Sequence, residues 1–250
     1  MIRVEQLHKS FGAVQAVQDV SFGAADGRIT ALLGPNGAGK STTLRILATV
    51  LRADRGQAWI DGHDVARDAV AVRRRIGVLP HAAGLYDRLT ARENIAYYGE
   101  LHGLKRAPLA ARIDALVERL EMGEFAHRRV AGFSQGQRIK VALARALVHD
   151  PRTVLLDEPT NGLDVMATRA LREIIRGLRA EGRCVLFSSH VMQEVASLCD
   201  DVVIIGHGRV LFDGHLEALR ARTGETDLEE AFIRVIDAHP EAERRAGERP

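Results

Sequence analysis

Apolar and polar residues alternate along Ile2-Arg3-Val4-Glu5-Gln6-Leu7, the period of a half-buried strand. A second strand pattern runs near 14–22. Asp26-Gly27 then marks a turn, and Ile29-Thr30-Ala31-Leu32-Leu33 predicts a buried strand. The glycine-rich stretch from Gly34 to Gly39 is a loop. The helix predicted after it, over 41–51, carries Leu44, Leu47, Ala48 and Leu51 on one face. Another strand is expected over 56–62, closing in an Asp-Gly turn. From Tyr86 to Val148 the spacing becomes helical, with helices predicted over 92–101, 109–120 and 135–149. The chain then returns to strand and helix in turn: strands over 154–156 and 185–187, helices over 165–180 and 192–199. A closing hairpin over 202–212 turns at Gly206-His207-Gly208. Alternating strands and helices predict a mostly parallel sheet, into which the helical block is inserted. After Gly214 two short helices follow, the second with a stripe of Leu228, Ala231, Phe232, Val235 and Ile236.

Composition narrows the class. The chain has 250 residues, 46% hydrophobic and 27% charged, as in an ordered globular protein. A formal net charge of +2 gives no reason to expect a dedicated nucleic-acid binder. No apolar run approaches the about 18 residues needed to cross a bilayer, and the first residues lack the apolar block of a secretory signal. The two cysteines, Cys184 and Cys199, fit neither a disulfide framework nor a metal spacing.

Gly34-Pro35-Asn36-Gly37-Ala38-Gly39-Lys40-Ser41-Thr42 matches the phosphate-loop pattern G-x-x-x-x-G-K-[ST], between a buried strand and a helix as the mechanism requires. Glycines let backbone N–H groups converge on phosphates, and the helix N-terminus adds partial positive charge. Lys40 can reach the β- and γ-phosphates of ATP, and the Ser41 hydroxyl can bind Mg²⁺. Only four of the 35 basic residues are lysines, which makes one at this position hard to ascribe to chance. Val154-Leu155-Leu156-Asp157-Glu158 is a buried strand ending in two acids. At the C-terminal edge of a parallel sheet such residues face the ligand crevice. Asp157 is placed to hold Mg²⁺, and Glu158 to act as general base on the attacking water.

Phosphate loops serve many enzymes, and Phe133-Ser134-Gln135-Gly136-Gln137 separates them. It resembles the signature of ABC-type ATPases, usually L-S-G-G-Q. Asn161-Gly162-Leu163-Asp164 resembles the family's D-loop, Ser188-Ser189-His190 its switch-histidine segment, and Lys9-Ser10-Phe11-Gly12 its adenine-stacking loop. The resemblance spans about residues 1–215. It implies an α/β fold: a P-loop NTPase (RecA-like) core with a mostly parallel sheet, an N-terminal antiparallel β subdomain and an inserted helical subdomain. The ATPase domain is expected over 1–220 with the helical part at about 86–150, a short helical extension over 221–238, and a disordered tail over 239–250. The resemblance also implies a head-to-tail pair of ATPase subunits, a homodimer, in which Ser134, Gly136 and Gln137 of one copy cap the ATP held by the other. It assigns Asp164 to that shared site, the adenine to Phe11, and contact with the γ-phosphate to His190.

Several residues carry plainer readings as well. Ser134 and Gln137 also fit a helix capping box, and Phe11 fits an ordinary core position. His81 stands where the family usually places a Mg²⁺-touching glutamine, and Gln135 where the signature has glycine. Residues 85–94, with Thr226-Asp227-Leu228-Glu229-Glu230-Ala231-Phe232, resemble the ATPases of ABC-2-type exporters, most of all the sodium-extrusion (NatA-type) branch. That resemblance implies an ATPase on the cytoplasmic face of the membrane, energising export by a separate permease. The permease is expected to dock near 81–98, where Tyr86, Leu89, Tyr97 and Tyr98 make an apolar patch or core packing. An ABC ATPase acting on ribosome or DNA, a small-molecule kinase and a non-hydrolysing ATP-binding module are the competing classes.

Overall fold

The computed structural model describes residues 1–238; the expected tail over 239–250 lies outside the described residues. Strands β1 (Ile2–Phe11) and β2 (Val14–Ala24) form an antiparallel pair. Ile2, Val4 and Leu7 are all buried, although Leu7 is out of phase with a strict two-residue repeat. The register shifts between Val4 and Leu7, where Gln6 takes a φ of 48° and its N–H bonds to Ser21 Oγ. This β-bulge inserts one residue and returns Leu7 to the core face.

Strand β3 (Ile29–Leu33) is buried at all five residues. It runs into the glycine-rich loop and helix α1 (Lys40–Leu47), which starts one residue earlier and ends four earlier than the apolar stripe suggests. Strands β4 (Arg55–Ile60) and β5 (His63–Asp64) complete a four-stranded antiparallel sheet ordered β2-β1-β4-β5. Helix α2 (Ala69–Arg73) and strand β6 (Ile76–Leu79) follow, neither of them foreseen from the sequence. The helical block holds α3 (Ala91–Leu101), α4 (Arg106–Arg119) and α5 (Gln135–Leu147). Then come β7 (Thr153–Asp157), α6 (Val165–Ala180), β8 (Cys184–Ser189), α7 (Met192–Leu198), β9 (Asp201–Gly206), β10 (Arg209–His215), α8 (Leu216–Thr223) and α9 (Leu228–Asp237).

The second sheet is ordered β10-β9-β3-β8-β7-β6, parallel except for edge strand β10. Strands β3, β7 and β8 are buried along their whole length, as expected where both faces of a parallel sheet are covered. The α9 stripe buries Leu228, Ala231 and Val235 and packs against α7, α8 and β10. Among the described residues no helix is long and apolar enough to cross a membrane.

Helix α5 belongs to two regions. Ile139 and Leu143 join the core of the helical block with Ile95, Leu109 and Phe133, while its second half is buried from Val141 to Leu147 and packs on β6. Gly77 makes that approach possible. A Cβ there would come within 2.4 Å of the Ala146 carbonyl oxygen.

Where the helical block meets β6, the rings of His102 and His149 stack with centroids 3.6 Å apart and planes within 5°. His149 Nε2 lies 2.9 Å from the Ile76 carbonyl oxygen. Burial, and then the neighbouring His102, push the His149 pKa down to about 4. The folded protein therefore holds His149 neutral over a range in which an unfolded chain takes up a proton, from about pH 6.5 downward. Its contribution to stability is complete above that range and is lost as pH falls toward 4. His149→Gln keeps an N–H donor for Ile76 but removes the titration. Its urea midpoint is expected to fall less than that of the wild type between pH 7 and pH 4.5. An equally steep fall would assign the acid sensitivity to other groups.

Candidate functional site

Parallel register sets the site. Asp157 pairs with Ser188, Leu33 with Ser189 and Leu79 with Leu156, so four strands end side by side. From β6 to β3 these ends deliver His81, Asp157 with Glu158, Ser188 with His190, and the loop from Gly34 to Thr42.

The loop is shaped by close approaches. A Cβ on Gly34 would meet the Ile205 carbonyl oxygen at 2.2 Å, and Gly39 holds a φ of 105° with the Ala16 carbonyl at 2.4 Å from its Cβ position. Pro35, Asn36 and Gly37 are exposed, and Ala38 and Gly39 are buried. Helix α1 has no side-chain cap and no acid in its first turn. Its first N–H groups and their partial positive charge therefore face the loop without a competing side chain. Lys40, with 4% of its side chain exposed, donates to the carbonyls of Gly34 at 2.7 Å and Pro35 at 3.0 Å. Burial lowers its pKa, and the nearby carboxylates of Glu158 and Asp157 oppose that shift. Ser41 and Thr42 are half-buried in the first turn of the helix.

Ser41 Oγ donates to Asp157 Oδ1 at 2.9 Å. Two hard oxygen donors at the mouth of a phosphate loop suit Mg²⁺, which takes few protein ligands and completes its shell with water and phosphate. Glu158 has 13% of its side chain exposed. Its Oε1 lies 3.2 Å from His190 Nδ1 and 4.0 Å from Lys40 Nζ, and its Oε2 lies 3.9 Å from His81 Nδ1. The carboxylate thus has an imidazole beside each oxygen. Glu158 also holds a φ of 49°, a left-handed conformation that non-glycine residues rarely adopt. Strain of this kind clusters at functional sites.

The signature residues lie elsewhere. Ser134 is the N-cap of α5: its Oγ accepts from Gln137 N at 3.3 Å, and Gln137 Oε1 accepts from Ser134 N at 3.1 Å. The capping box therefore exists, and Ser134 is also exposed. Gly136 faces Ala167 on α6, whose N-cap is Asp164 with Oδ1 accepting from Ala167 N at 2.8 Å. Among the described residues no hydrogen bond or ion pair joins Ser134, Gly136 or Gln137 to the phosphate loop or the acidic pair. Phe11 ends β1 with 48% exposure, so the core reading of that ring does not hold. Asp54 braces the end of the strand before it, taking Lys9 Nζ and Ser10 N at 2.7 Å each.

Three contributors escaped the sequence reading. Ser188 sits within a segment singled out for its histidine, yet its hydroxyl bonds to the Asp157 carboxylate and to the Glu158 backbone N–H. Asp54 lies 44 residues from Ser10, and no local pattern connects them. Arg145, on α5, donates to the Gly84 carbonyl at 2.9 Å and stacks its guanidinium 4.5 Å from the Tyr98 ring centroid. It ties the stretch after His81 to the signature helix. Nearby, Tyr86, Tyr97 and Tyr98 meet edge to face, with Tyr86 and Tyr97 exposed and Tyr98 and Leu89 half-buried.

The family model described as ABC transporter matches residues 17–161. The ABC transporter ATP-binding protein NatA of Bacillus subtilis is 47% identical over 221 residues, 88% of this chain and 90% of that protein. The Nod factor export ATP-binding protein I of Paraburkholderia xenovorans is 37% identical over 231 residues, 92% of this chain and 76% of that protein. A solved dimeric ATP-binding cassette in a post-hydrolysis state, bound to ADP and Pi, gives a TM-score of 0.78 at 25% identity, covering 86% of this chain and 99% of that one.

Proposed function

The chain belongs to the ABC transporter ATP-binding family and is an ATPase of that family, and we propose that two copies of it work head to tail on a separate membrane permease to drive export. The observation that carries this reading is the Glu158 carboxylate, set between His190, Lys40 and His81 next to the Ser41–Asp157 pair.

In this reading the triphosphate of ATP lies along Gly34 to Thr42, with Lys40 leaving the Gly34 and Pro35 carbonyls for the β- and γ-phosphates. Mg²⁺, when bound, supplies positive charge that neutralises the phosphates. Ser41 and Asp157 hold it. Phe11 stacks on the adenine. Glu158 accepts the proton of the attacking water, and His190 holds its Oε1 and contacts the γ-phosphate. Ser134, Gly136 and Gln137 of the second copy cap that phosphate, with Asp164 beside them. ATP contacts both copies only when they close, so binding favours the closed pair, and hydrolysis removes that preference.

The exposed faces of Tyr86 and Tyr97 are the proposed permease contact, which would place the ATPase at the cytoplasmic face of the membrane. Export is supported by the exporter-like segment over 85–94 and by the likeness to the Nod factor export ATP-binding protein I. Na⁺ is the first cargo to test, on the likeness to the sodium-extrusion branch. Co-expression with a six-span permease, followed by ATP-dependent Na⁺ uptake into inverted vesicles, tests the cargo. Uptake equal to that of vesicles lacking the permease would rule Na⁺ out.

Three substitutions test the site. Glu158→Gln is expected to bind Mg-ATP, accumulate as a dimer and lose turnover by at least about a hundredfold; wild-type turnover would remove Glu158 as the base. Lys40→Ala is expected to lose nucleotide affinity by at least about tenfold, read by titration with a fluorescent ATP analogue, because a charge-assisted phosphate contact disappears. His81→Gln takes one imidazole from beside Glu158. It is expected to preserve ATP affinity and change kcat, and an unchanged kcat would make His81 a bystander.

A further inference from the structure

Resting on the reading of Glu158 as the base, we propose that Ser188 is a positioning residue for ATP hydrolysis, because its one hydroxyl fixes both acids of the site. Ser188 is fully buried in β8 and registers opposite Asp157. Its Oγ donates to Asp157 Oδ1 at 2.7 Å and accepts from Glu158 N at 2.9 Å. A serine hydroxyl has one proton to give, and here it goes to the carboxylate that also receives Ser41 Oγ. The lone pair receives the N–H of the residue in the left-handed conformation.

The two contacts do different work. The bond to Asp157 orients the carboxylate proposed to hold the cation, leaving its Oδ2 free of both serines. The bond to Glu158 N anchors the backbone turn from which the base projects. Two residues further on, His190 Nδ1 meets Glu158 Oε1 at 3.2 Å from a position with 43% of its side chain exposed. The switch segment thus grips Glu158 twice: at the backbone through a buried hydroxyl within the sheet, and at the side chain through an exposed ring beyond it. The histidine can move with the nucleotide while the serine keeps the base in place. Ser189 does not share this task. Its Oγ donates to Glu194 and accepts from Val191 N, at the start of α7.

Turnover and nucleotide binding of the full-length chain should separate under substitution. Ser188→Ala is expected to lower kcat about tenfold with KM for ATP changed less than about twofold, since Glu158 N loses its buried anchor while Asp157 keeps the Ser41 hydroxyl as a partner. Ser188→Thr restores a hydroxyl and is expected to recover most of the rate. Thermal melts accompany each variant. Where either fails to fold, Ser188→Cys takes its place: it keeps the unbranched shape with a somewhat larger atom, offers only a weak donor and acceptor, and is expected to lose at least about fivefold in kcat. Wild-type kcat in a folded Ser188→Ala or Ser188→Cys protein, or a folded Ser188→Thr protein as slow as Ser188→Ala, overturns the proposal. Glu158→Gln runs in parallel. If it turns over like wild type, the base assignment itself fails. If it is inactive while Ser188→Ala is not, only the role of Ser188 falls.

Discussion

The hydrogen-bond register of four parallel strands is the constraint from which the candidate site follows. Parallel strands all end in the same direction, so β6, β7, β8 and β3 carry residues 81, 157–158, 188–190 and 34–42 to one edge. A shift of one residue in β8 would take Ser188 out of line with Asp157 and turn its side chain to the opposite face. The buried strands resist such a shift because both of their faces are packed. Local electrostatics then depends on that edge. Lys40 is desolvated, and the carboxylates of Glu158 and Asp157 favour its charged form against the cost of burial.

Helix ends differ in how their first N–H groups are met. Helices α3, α5, α6 and α9 are each capped by a side chain: Thr90, Ser134, Asp164 and Asp227. Helix α1, which begins at the phosphate loop, has none, as is also true of α2, α4, α7 and α8. A cap of this kind is worth about 1 kcal/mol, so α1 gives up local stability and keeps its N–H groups available to an anion. Ser134 closes a capping box and still stands exposed at the tip of its helix.

Strong repeats made most of the fold readable. The apolar run of β3, the helix over 165–180 and the stripe of α9 became elements near their expected bounds, while β1 runs four residues beyond the alternation over 2–7. Strand β6 went unseen because four residues, one of them glycine, hold too few positions to show a period. The phosphate loop and the acidic pair are contiguous motifs, so their places beside a buried strand could be read directly. Ser188 on Asp157, Asp54 on Ser10 and His102 on His149 are contacts between distant segments, and they exist only once strands and helices have packed. The exposure of Phe11 was equally hidden, because the sequence around it suits either a buried or an open ring.

The glycine contact between β6 and α5 fixes how closely that helix lies on the sheet. Ala146 is wedged against Gly77, and Ser134 is twelve positions away, about 18 Å at the usual rise per residue. A rotation of about 6° about Ala146 would displace Ser134 by about 2 Å, comparable to the difference between making and losing a hydrogen bond, so the packing of Ile139 to Leu147 sets how accurately that tip is held. Arg145 grips Gly84 beside the same point and joins the tyrosine-bearing surface to the helix that carries Ser134.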